Sequence, residues 1–188
     1  MFKFLIVIVA IIVLLILWFV SMYNGFVKAN NNCEEAYSTM DVYMKKRYDL
    51  IPNLVETVKG YAKHEAETLQ NVVAARNAAA SAGSVGEKIE AENALSGTLR
   101  QLFAVAEAYP DLKANQNFLQ LQTEIADIEN KIAATRRYFN TATRELNNAV
   151  QTFPSNILAG MFGFKKEPMF EIPQEDRATI EKAPEIKF

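Results

Sequence analysis

His64-Glu65 is the first pair in this chain whose residue types could do chemistry. On a zinc-protease helix such a pair is followed by a second His four residues after the first, so that two imidazoles face one metal and the Glu acts as base. Here that position is Thr68, and His64 is the chain's one histidine. One His and one Cys cannot supply the three or four N/S ligands of a zinc site. The expected role of His64 is a surface or interhelical hydrogen bond. Cys33 as a nucleophile would need a neighbouring base, and His64 is the sole imidazole on offer. Cys33 falls instead on an apolar seam, where a small buried hydrophobe is the expectation. Glu65, Glu67 and Glu92 are carboxylates that a helical bundle could bring together as an enzyme site. They lack the Glu-x-x-His pairs that hold di-metal centres in bundles. No catalytic, cofactor-binding or metal-ligating residue is assigned, and no cofactor is expected.

Two further segments carry charge or apolar density. Lys45-Lys46-Arg47 could touch lipid headgroups, but a straight helix from Tyr23 would place it about 33 Å from the interface, beyond the ~8–10 Å screening length. The expectation is that it decorates a last helical turn before Pro52, where cations offset the helix dipole. Leu158-Ala159-Gly160-Met161-Phe162-Gly163-Phe164-Lys165-Lys166 concentrates apolar residues outside any regular seam. Either Phe162 and Phe164 fold back to cap the bundle, or the segment docks on a protein partner or the bilayer surface.

The elements that must position these residues begin with an anchor. Phe4 to Val20 is uninterrupted apolar sequence, and with its flanks to Tyr23 it reaches the roughly 20 helical residues that span a hydrocarbon core. Lys3 can snorkel at one end; Trp18 and Tyr23 suit the interface at the other. The run is too long for a signal-peptide core and has no small-x-small cleavage site. Residues 1–23 therefore read as an uncleaved single-pass anchor contacting the lipid bilayer. Lys28 and the later basic residues favour a cytoplasmic main domain by the positive-inside rule, with the reverse signal-anchor topology as the alternative.

The rest reads as helices. Phe118, Leu121, Ile125, Ile128, Ile132, Thr135, Phe139, Ala142, Leu146, Ala149 and Phe153 step by threes and fours, the seam of a coiled coil or long bundle helix. Ile128 lies near its middle and Glu129 off it. Asn115 and Asn117 are candidate starts, Asn117 with Gln120 in capping-box spacing. A first helix carries Phe26, Ala29, Cys33, Ala36, Met40 and Tyr43 straight out of the membrane and ends or kinks at Pro52. A second is expected over about 53–80, with Val58, Ala62, Leu69 and Val72. A third follows Gly83-Ser84-Val85-Gly86, with Ser84 and Glu87 spaced as a capping box, and stops at Tyr109-Pro110-Asp111. The fold class is all-α: the single N-terminal transmembrane helix, then an antiparallel four-helix bundle of long coiled-coil-like helices over residues 24–164. Residues 165–188, with Pro168, Pro173 and Pro184, read as an irregular, disordered tail.

Several strings together resemble the LemA family of bacterial membrane proteins. They are Tyr48-Asp49-Leu50-Ile51-Pro52-Asn53-Leu54-Val55, Lys59-Gly60-Tyr61-Ala62, His64-Glu65, Ala104 through Asn115, Phe153-Pro154-Ser155-Asn156 and Phe162-Gly163-Phe164. They run in order over residues 23–171, with Asn30-Asn31-Asn32-Cys33-Glu34-Glu35-Ala36-Tyr37 departing from a more basic stretch ending in Ala-Trp in many members. The resemblance implies a membrane helix followed by a helical bundle, and it implies no reaction.

A formal net charge of −2 gives no general attraction to nucleic acid. The expected function is a membrane-anchored helical scaffold or interaction protein without catalytic activity, in the bacterial inner membrane, forming a homo-oligomer or docking protein partners. The alternatives are an enzyme or enzyme subunit using the carboxylates above, and a signalling adaptor.

Overall fold

The structure is a computed structural model that describes residues 2–170. Among these residues there are six helices: α1 (Phe2–Lys59), α2 (Ala66–Ser81), α3 (Val85–Ala106), α4 (Pro110–Lys113), α5 (Gln116–Gln151) and α6 (Ser155–Phe162). They assort into two compact units, to both of which α1 and α5 contribute.

The first unit comprises residues up to Thr39 together with Thr135–Met169. Its N-terminal stretch of α1 is long and apolar enough to cross a membrane, and its side chains up to Trp18 are exposed. Past it, Phe26 is buried against Leu158 and Ala159, with Phe19, Met22, Ala149, Val150 and Phe164 packed around them. Cys33 is buried as its seam position foretold, its Sγ 3.2 Å from the buried Thr143 Oγ1. Burial pushes the thiol above its ordinary pKa, more than the Thr143 contact lowers it.

The second unit spans Met40–Ala134 and includes Phe170. Here α1 does not stop at Pro52 but runs on to Lys59, correcting the expected helix end; residues 53–59 belong to it, and α2 starts only at Ala66. Proline in a helix interior costs about 3 kcal/mol, partly through the amide it cannot offer to the carbonyl four residues back. That carbonyl is Tyr48 O, and Arg76 Nε of α2 donates to it at 3.2 Å. Ile51, Leu54, Val55 and Val58 are buried on the same stretch. At roughly 1.5–3 kcal/mol per buried aliphatic side chain, continuing the helix gains more than the proline costs. Arg76→Ala is expected to destabilise the protein by about 1–3 kcal/mol, the cost of an orphaned buried acceptor. In a Pro52→Ala background the same change costs less, because the alanine introduced at position 52 brings an amide for that carbonyl. A double-mutant cycle by thermal or urea melts reads the difference.

The Ser84 expectation holds in detail: its side chain accepts from Glu87 N at 3.2 Å while Glu87 Oε2 accepts from Ser84 N at 3.1 Å. Of the two candidate starts of α5, Asn115 is the cap, its Oδ1 accepting from Phe118 N at 3.0 Å; the Asn117–Gln120 spacing is not used. Along α5 the seam is buried at Phe118, Ile125, Ile132, Phe139, Ala142 and Leu146. It is only half-buried at Leu121, Ile128, Thr135 and Ala149, and Phe153, beyond the helix end, is 77% exposed. Of the tail expected over 165–188, residues 165–170 carry no regular structure, although Phe170 is buried; residues 171–188 lie outside the described residues.

Candidate functional site

Among the described residues of the second unit, most of the buried charge is gathered around one side chain, Arg47. The expectation that Lys45-Lys46-Arg47 decorates a helix end is overturned at this residue: because α1 continues through Pro52, Arg47 sits inside the helix and is fully buried. Its Nη2 donates to Glu92 Oε2, also fully buried, and its Nη1 to Glu129 Oε1. Nη1 also reaches Ser96 Oγ at 3.5 Å. Tyr48 Oη donates to the other oxygen of the Glu92 carboxylate. Glu129, off the seam, thus joins α5 to α1, while α3 supplies Glu92 and Ser96. Lys88 adds a second strap: its Nζ donates to Ala79 O in the last turn of α2 at 3.0 Å, stands 3.6 Å from Asp41 Oδ1, and lies 5.4 Å from the Tyr48 ring centroid.

The electrostatics follow from burial. Desolvation alone would lower the Arg47 pKa, but Glu92 and then Glu129 more than offset it, so its net direction is upward and the charge is locked in. Burial, then the hydrogen bond to Glu92, raises the Tyr48 phenol well above its ordinary value near 10. The folded state therefore holds that proton more tightly than the unfolded chain. The stability this confers is fully present below about pH 10 and is lost as pH climbs beyond it. Tyr48→Phe should cost about 1–3 kcal/mol at neutral pH, leaving one Glu92 lone pair without a donor. Melts across pH should show the gap between parent and variant full at pH 7–9 and narrowing above pH ~10.

Glu92 has no carboxylate oxygen to spare, although Arg47 Nε is buried without a hydrogen-bond partner among the described residues. Each carboxylate oxygen of Glu92 already accepts a bond, from Arg47 or from Tyr48. The residues do not line either of two grooves on this unit. One, of about 950 Å³, runs between the end of α1 and α2, past Val55, Lys59, Lys63, Leu69, Val73 and Asn77. The other lies past Leu50, Asn53, Thr57, Asn117 and Glu124.

The carboxylates weighed as a joint site go to different places. Glu92 is in the cluster, Glu65 Oε1 accepts from Tyr109 Oη at 3.2 Å, and Glu67 is exposed in the first turn of α2. His64 is exposed in the turn between α1 and α2. That turn is tied to the α3–α5 connection, since Asn115 Nδ2 donates to Tyr61 Oη at 2.9 Å. The strings around Tyr61, Glu65, Tyr109 and Asn115, far apart in sequence, thus meet at one end of the unit.

In the first unit the Leu158–Lys166 segment does fold back, but onto α1 beside the apolar run. Phe162 lies 5.9 Å from the Phe19 ring and 4.8 Å from that of Tyr23, and Phe164 stacks on Phe26 at 5.0 Å.

A family profile described as the LemA family matches residues 36–188. Protein LemA of Metamycoplasma hominis is 25% identical over 164 residues, covering 87% of this chain and 75% of that protein. Magnetosome protein MamQ of Magnetospirillum gryphiswaldense is 25% identical over 185 residues, covering 84% of this chain and 68% of its own length. Magnetosome protein MamQ 1 of Paramagnetospirillum magneticum aligns with the same identity and coverage.

Proposed function

The chain belongs to the LemA family, and from that premise we propose that it is a membrane-anchored helical scaffold without catalytic activity, self-associating or docking protein partners on its helix faces. The observation that carries this reading is the buried Arg47–Glu92–Glu129 cluster. The most deeply buried charges bond to each other across α1, α3 and α5 rather than converging on a groove. The buried side chains that could do chemistry are spent on holding helices together, which leaves the surface for function.

The surface supports the same reading. Val42, Tyr61, Val73, Leu119 and Tyr138 are large apolar side chains each at least 39% exposed, the kind of residue that marks contact faces. The names of the family and of these relatives refer to no reaction; two of the relatives are named for the magnetosome. In this reading residues 1–23 are the single-pass anchor in the bacterial inner membrane, and residues 24–164 are an antiparallel four-helix bundle on the cytoplasmic side. Two pairs of contacts favour that packing: Tyr43 meets Lys131 and Arg47 meets Glu129, so partners fall along α5 as they rise along α1.

The test is photo-crosslinking of the full chain in its native membrane, with a benzophenone amino acid at Val73 or Tyr138. Discrete adducts, to a second copy or to particular proteins, are expected. Their absence from both positions would contradict the scaffold reading. A reporter fused after Phe188 reads topology in the same cells, and activity of a periplasm-dependent reporter would reverse the orientation.

A further inference from the structure

We propose that α6 is an interfacial membrane helix, its outward apolar edge set in the headgroup–acyl boundary of the bilayer that α1 spans. Depth is the first argument. Phe162 touches Phe19, which belongs to the uninterrupted apolar run ending at Val20, and also touches Tyr23. At 1.5 Å per residue along α1, α6 therefore packs at the level where that run meets the interface. Trp18, one residue away and 48% exposed, marks the same level.

The two sides of α6 are the second argument. Leu158 and Ala159 are buried on Phe26. Ile157 and Met161, one helical turn apart on the other side, are 55% and 68% exposed, and Phe153 just before the helix is 77% exposed. The helix carries no charged residue. Exposed apolar side chains gathered on so short a helix would be a poor surface in water and a good one in lipid.

Charge completes the case. Gly163 ends α6 in the left-handed region (φ 76°), a conformation that suits glycine. The chain turns there, so that Phe164 returns to stack on Phe26, and the exposed Lys165 and Lys166 follow at once. Lysines directly beside an embedded apolar edge can reach anionic headgroups while their stems lie along the boundary. The occupant of this face is thus the lipid bilayer itself. The proposal rests on α1 spanning that bilayer, and the experiment reads the two separately.

The full-length protein carrying Cys33→Ala is reconstituted at one copy per nanodisc in mixed zwitterionic and anionic lipid. Nitroxide labels are placed singly at Ile157→Cys or Met161→Cys, with Val9→Cys in the apolar run and Glu145→Cys on the exposed side of α5 as references. Power saturation compares collisions with oxygen, which partitions into lipid, and with a water-soluble nickel chelate. Labels at positions 157 and 161 should resemble the one at position 9, favouring oxygen. If they resemble the one at position 145 while position 9 stays protected, the interfacial helix is wrong and the anchor stands. If position 9 is also open to nickel, both readings fall. Protection that appears only with several copies per disc would assign the face to a second copy and overturn the proposal.

Discussion

Arg47→Met is expected to destabilise the helical domain by about 3–5 kcal/mol, the usual cost of removing one partner of a buried ion pair. The loss comes chiefly from what remains. Glu92, fully buried, would keep only the Tyr48 hydroxyl as donor, while Glu129, with its side chain 35% exposed, can turn to water. Against a domain stability of ~5–15 kcal/mol, such a loss lowers the melting temperature by many degrees. Replacing the whole set tells a different story. In Arg47→Met/Tyr48→Phe/Glu92→Leu no buried polar atom of that trio is stranded, and apolar replacements of buried ion pairs are often neutral or stabilising. Stability should return to within about 1–2 kcal/mol of the parent, far from the sum of the single changes. Melts of the full chain in detergent or nanodiscs, followed by far-UV circular dichroism, measure both.

The second large effect lies on α5. Ile125 is 1% exposed on the side of the helix that faces the core of its unit. Emptying such a site with alanine costs roughly 2–5 kcal/mol, and Ile125→Asp adds the burial of a carboxylate with no partner. That variant should be largely unfolded under conditions where the parent is intact. Ile128, one turn along and only half-buried, should tolerate alanine at lower cost. If Ile125→Asp melts like the parent and loses only an oligomeric state, the seam is a surface between copies and the packing proposed for α5 is wrong.

The all-helical character and several local features were legible from periodicity. The apolar run, the Ser84 capping box, the buried half of the α5 seam and the buried Cys33 all follow from residue type and spacing. Pro52 misled, and its error spread. Ending α1 there turned Arg47 into a terminal decoration, whereas carrying the heptad onward gives Cys33, Ala36, Met40, Met44, Arg47, Ile51, Leu54 and Val58, all buried. The frame passes from Tyr43 to Met44, and Arg47 stands where an apolar residue belongs. The buried positions of α3 tell the same story, with Glu92 between Lys88 and Leu95. Opposite charges at seam positions of two helices are therefore the signal that could have located the cluster. The Arg76–Tyr48 contact that lets α1 pass Pro52 is tertiary, and no local pattern announces it. Glu129 was hidden for a related reason: it flanks the seam, and only the position of Arg47 gives it a partner. The Phe162 and Phe164 packing was half-legible, since the aromatic density showed that the segment folds back but not that Phe19 and Tyr23 receive it.

In this protein the buried polar residues serve architecture, and we propose that function resides on the surface. The most direct test is the Arg47→Met/Tyr48→Phe/Glu92→Leu variant, carrying the benzophenone probe at Val73 or Tyr138 and expressed in place of the parent in native membranes. The expected result is a folded, normally abundant protein giving the same crosslinked adducts as the parent. A variant that accumulates and melts like the parent, yet loses those adducts, would contradict that proposal.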